Sequence, residues 1–83
     1  MAIELAKDRG VVKTPGVCGG DACINGTRIP VWQLVEARNL GVSDAQLLID
    51  FPTLTAQSLV DAWGYAENHA NEISAAIHDN EVA

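Results

Sequence analysis

Arg28 is the side chain of this sequence best placed to do chemistry. It sits in Thr27-Arg28-Ile29-Pro30, just before a proline suited to open a helix, where free N–H groups and the positive end of the helix dipole attract an anion. Together, Thr27 and Arg28 could hold a phosphate or a partner's carboxylate; a structural arginine bonded to hairpin carbonyls or to Asp21 is the other reading. Gly19-Gly20 lacks the Lys-Ser/Thr and the immediately following helix that a phosphate loop needs. Cys18, Cys23, His69 and His78 could in principle make four zinc ligands, but neither the gap between the cysteines nor that between the histidines fits the usual spacing, so no metal is expected. There is no Ser-His-Asp set, paired-carboxylate pattern or activated cysteine environment; neither catalytic residues nor a cofactor are expected.

These residues must be positioned by short elements. Asn25-Gly26 is a tight-turn dipeptide, with Ile24 before it and Thr27-Ile29 running extended after it, and Val11-Val12 is the best candidate for a further strand. A first helix should start at Pro30 or Val31, bury Val31, Leu34 and Val35, and stop at Gly41. Ser43 caps a second helix that turns Leu47, Leu48 and Phe51 inward and ends before Pro52, and Thr55 caps a third. The expected fold is mainly α: a small N-terminal β-hairpin followed by a three-helix, homeodomain-like helix-turn-helix with a long C-terminal helix. One domain spans 1–83, with a hairpin arm at 1–29, a helix-turn-helix core at 30–66 and a helical extension at 67–83.

The last helix carries Leu59, Trp63, Ala66, Ala70, Ile73 and Ile77 at spacings of four and three, a seven-residue repeat. Unbroken from Ala56 to His78 it would reach roughly 34 Å at 1.5 Å per residue, more than so small a body can cover. Either the stripe folds back on the hairpin within one chain, or it packs against a second copy or a partner; the second is the expectation, with a homodimer as its simplest form.

The net charge of −6 is unevenly spread. All five basic residues, Lys7, Arg9, Lys13, Arg28 and Arg38, lie in the first 38 positions, whereas residues 39 to 83 hold seven acids and no Lys or Arg. Such asymmetry suggests an acidic half that meets a cationic protein surface, or simply a solvated face. No apolar run could span a bilayer and the first ten residues are too polar for a signal peptide, so a cytoplasmic location without membrane contact is expected. In that reducing compartment Cys18 and Cys23 are expected to be free thiols.

Gly16-Val17-Cys18-Gly19-Gly20, Ile24-Asn25-Gly26-Thr27-Arg28-Ile29-Pro30-Val31, Gly41-Val42-Ser43 and Phe51-Pro52-Thr53-Leu54-Thr55, with Ala62 and Tyr65-Ala66 after them, resemble the bacterial and archaeal domain-of-unknown-function 433 family from about Gly16 to Ala66. The resemblance implies a homeodomain-type helix-turn-helix and an antitoxin role beside small nuclease-like proteins of the PIN-related type. In such a motif the second helix enters the major groove and cations elsewhere meet phosphates. Here that gives Gln57 and Ser58 as base readers, with Lys13, Thr27, Arg28 and Arg38 as the remaining DNA contacts. A basic toxin would be held by Asp61, Glu67, Glu72, Ile73, Ile77 and Asp79. The functional expectation is thus an antitoxin that neutralises a small PIN-related nuclease and touches operator DNA; a dimeric interaction module that never binds DNA is the alternative.

Overall fold

The computed structural model describes residues 10–14, 16 and 18–82. The expectations placed on residues 1–9, Lys7 and Arg9 among them, on Pro15 and on the Cys18 side chain lie outside the described residues.

A short strand β1 (Val11–Lys13) pairs antiparallel with β2 (Ala22–Ile24), Val11 opposite Ile24 and Lys13 opposite Ala22. Val11-Val12 therefore is a strand, as its residue types suggest. The segment after Asn25-Gly26 is not one: Thr27 and Arg28 bend, and the chain pairs back only at its end, with Pro30 bridged to Cys23 and the Ile24 N–H donating to the Ile29 carbonyl at 3.0 Å. The turn itself forms, with the Thr27 N–H donating to the Ile24 carbonyl at 3.0 Å. Gly26 takes φ 82° there, a backbone conformation costly for any residue with a Cβ. Cys23, 2% exposed, is disulfide-bonded, which corrects the free-thiol expectation for it. A 3-10 turn at Cys18–Gly20 stands immediately before β2, and residue spacing alone does not show the bond.

Helix α1 (Val31–Asn39) opens after Pro30 and turns Val31 and Leu34, both 0% exposed, into the core. It ends in a pair of bonds from Gly41 N–H to the Arg38 carbonyl and from Val42 N–H to the Ala37 carbonyl, each 3.0 Å, the Schellman arrangement. Helix α2 (Asp44–Asp50) is capped by Ser43, whose Oγ accepts from the Gln46 N–H at 3.1 Å. It buries Leu47, and the following loop contributes buried Leu54.

The expected single long helix is two. Helix α3 (Ala56–Asn68) stops at His69, whose backbone (φ −132°, ψ 43°) leaves the helical region, and α4 (Ala70–Val82) starts anew. The break lets α4 turn back and pack on α1, so that Ile73, 5% exposed, joins Leu34, Leu47 and Leu59 in one core and Ile77 packs against it. The stripe thus finds its cover within the chain. Ala70 drops out of it, exposed, and α3 buries Ala62 and Tyr65 beside Leu59. The class is as the sequence suggests: mainly helical, with a small N-terminal antiparallel strand pair. No described helix is long and apolar enough to cross a membrane.

Candidate partner-binding surface

Of the three described cations, Arg28 alone keeps the freedom that the sequence gives it. It is exposed, has no ion pair among the described residues, and lines a shallow cleft of about 400 Å³ with Val12, Thr14, Cys23, Asn25, Gly26 and Thr27. Its neighbour Thr27 is committed to the turn. The Thr27 hydroxyl donates to the Ile24 carbonyl at 2.9 Å and accepts from the Ile29 N–H at 3.0 Å. That spends both of the hydroxyl's principal directions, so Thr27 shapes the cleft and has little left for a ligand.

Lys13 and Glu72, assigned from sequence to different clients, bind each other. Lys13 Nζ lies 3.1 Å from Glu72 Oε2, and the Tyr65 hydroxyl reaches both carboxylate oxygens at 2.9 Å. His69 stacks on the Tyr65 ring at 4.1 Å between centroids, with its Nδ1 3.9 Å from Glu72 Oε1. The four side chains join β1, the end of α3 and the first turn of α4, with Glu72 at the centre. This is a clasp across the helix break. Burial of Ile73 and use of Glu72 in the clasp remove the reason for placing these two in a partner surface: one faces the core, and the charge of the other is already answered.

The start of α3 is occupied in a similar way. Ser58 and Thr55 form a reciprocal cap, the Ser58 N–H donating to Thr55 Oγ1 at 3.2 Å and the Thr55 N–H to Ser58 Oγ at 3.1 Å. Gln57 Nε2 donates to Asp61 Oδ1 at 2.9 Å. Asp61 also stands directly against Gly10, where φ is +83° and a Cβ would collide with the carboxylate. The side chains that would read bases on this helix are thus engaged by Asp61 and Thr55, and α3 carries no Lys or Arg to meet phosphate.

On the outer side of α3 the structure brings together residues that the sequence left apart. The Arg38 guanidinium lies over the Trp63 ring, 4.6 Å from its centroid, a cation–π contact. Trp63 Nε1 approaches Asp44 Oδ2 at 3.4 Å, so the indole spans from the end of α1 to the start of α2. Arg38, Val60, Trp63, Gly64, Ala66 and Glu67 line an open groove of about 590 Å³. Val60, Trp63, Gly64 and Glu67 follow the i, i+3, i+4, i+7 pattern of one helical face. The sequence signal was present, but the seven-residue repeat claimed Trp63 for the neighbouring face. Glu67, Asp79 and Glu81 are exposed and stand outside the ion pairs of the described residues. No group of three or more His, Cys, Asp or Glu among the described residues could hold a metal.

Residues 11–66 match the family model described as a protein of unknown function, DUF433. The chain belongs to the DUF433 family. A solved structure of a DUF433 member protein from Anabaena variabilis is similar to it at 48% identity and a TM-score of 0.81, over 83% of this chain and 68% of that one. No curated protein matches. The DUF433 match ends at Ala66, inside α3, so the clasp residues His69 and Glu72 and the whole of α4 lie beyond it. Arg28, Arg38, Gln57 and Trp63 of this DUF433 chain lie within it.

Proposed function

We propose that the chain is a protein-binding antitoxin, which holds a small, basic, PIN-related nuclease through its acidic helical surface and touches operator DNA only through the hairpin around Arg28. The observation that carries this reading is the disposition of charge. Residues 39 to 83 hold seven acids and no Lys or Arg, no acid among the described residues is buried, and Glu67, Asp79 and Glu81 are left for a partner. Such a surface opposes phosphate and steers a cationic protein toward itself. The class of that partner rests on the family resemblance. Against a dominant DNA role stand the mutual pairing of Gln57 with Asp61 and of Ser58 with Thr55.

The test uses the product of an adjacent small reading frame with acidic residues suited to Mg²⁺. Co-expression should block its RNA cleavage, and changing Glu67, Asp79 and Glu81 together to their amides should slow association and flatten its salt dependence. Arg28→Ala should weaken binding to operator DNA and leave partner affinity unchanged. Tight DNA binding by the free chain in a mobility-shift assay, undiminished in Arg28→Ala, would overturn this division of labour. Absence of any complex with the neighbouring product favours the dimeric interaction module instead.

A further inference from the structure

We infer that the outer face of α3, the groove between Arg38 and Glu67, is where two copies of this chain meet. The face is built for a solid neighbour. Val60 is 60% exposed, the Trp63 ring is half-buried with Arg38 fixed across it, and Gly64 sits inside α3, where a glycine weakens the helix but lets another backbone come close. The groove is open along these residues.

Charge selects the occupant. Arg38 is the only Lys or Arg that the helical part of the chain, from Val31 onward, possesses, and it lies in the same groove as Glu67 without an ion pair between them. A strongly cationic partner would meet Arg38 unfavourably here, and an acidic one would meet Glu67. A second copy meets neither difficulty. About a two-fold axis between Trp63 and Gly64, with the α3 helices antiparallel, Trp63 and Gly64 close the middle, Val60 of each copy lies opposite Glu67 of the other, and Arg38, held over Trp63, comes within reach of that Glu67. An isologous interface requires this kind of self-complementary patch. Fixing Arg38 on Trp63 in the free chain lowers the ordering cost of that pairing. The inference shares Glu67 with the nuclease reading but stands without it, since it concerns the chain alone and Asp79 and Glu81 lie outside this groove.

Sedimentation equilibrium of the full chain tests it. The parent should show twice the chain mass at micromolar concentration. Arg38→Glu and Glu67→Arg should each raise the dimer dissociation constant at least about tenfold, because the two-fold axis applies every substitution twice. The double variant should recover the parent value. Val60→Asp, at an exposed position that leaves the core intact, should give monomers with an unchanged circular dichroism spectrum. A parent that is monomeric throughout, single variants that dimerise like the parent, or a double variant that stays monomeric would each overturn the inference.

Discussion

Two helix junctions in this chain are about equally abrupt and are made in opposite ways. Between α1 and α2 the instructions are local. Gly41 at φ 96° ends one helix, and the Ser43 hydroxyl starts the next, all within four residues. Between α3 and α4 a single residue, His69, leaves the helical region, and its identity commands no such break. The nearest local help is Asn68, whose side-chain amide donates to the Gly64 carbonyl at 3.1 Å. What turns α4 back is distant: Ile73 enters a core made with α1, and Glu72 is held by Lys13 of β1 and Tyr65 of α3. A junction of the first kind can be read from its own residues, and one of the second kind only from the partners it finds.

The sharpest way to break this contrast is to empty the remote contact. Ile73→Ala removes a side chain that is 5% exposed, and such truncations cost about 2–5 kcal/mol. For a domain of this size that is a fall in melting temperature of roughly 10 °C or more. The helical signal lost should extend beyond α4, because the core is shared with α1 and α3. A variant that melts with the parent would mean that α4 is not part of the core, and that the stripe is free for another molecule after all.

At the local junction the expected effects are smaller. Ser43→Ala deletes a cap that accepts from the Gln46 N–H, at about 1 kcal/mol, and hydrogen exchange should show fraying confined to the first turn of α2. Loss of protection spread evenly to α4 would count against the distinction between the two junctions. Thr55 makes the same kind of cap for α3, so Thr55→Ala should behave likewise at the start of that helix.

The contrast also explains what was legible in the sequence. Pro30, Gly41, Ser43, Pro52 and Thr55 set the helix boundaries from the start of α1 to the start of α3, and Val31, Leu34 and Leu47 are buried where helical spacing puts them. The long-helix reading failed because Leu59 to Ile77 keeps its seven-residue rhythm across the break, and periodicity carries no information about direction. The site suffered from the same blindness to tertiary pairing. Lys13 and Glu72 read as two charges seeking different clients, and they found each other, as did Gln57 and Asp61. Arg28 was legible because it has no ion pair among the described residues. Arg38 was legible as a cation, but its place over Trp63 depends on the packing of α1 against α3.

The smallest expected effect is the most specific to the clasp. Lys13 and Glu72 are 54% and 34% exposed, so solvent and salt screen their attraction, and a pair of this kind contributes about 0–1 kcal/mol. Lys13→Gln should therefore lower the melting temperature by only a few degrees. The signature is its dependence on salt: the difference in stability between parent and variant should shrink as ionic strength rises from low to about 0.5 M, where the Debye length falls well below 10 Å. Tyr65→Phe provides the control, because it removes a hydrogen bond to the same carboxylate without changing any charge, and its cost should persist at high salt. If Lys13→Gln costs the same at every salt concentration, Lys13 acts through the packing of its stem on β1, and the hold on α4 passes through Tyr65 and Ile73 alone.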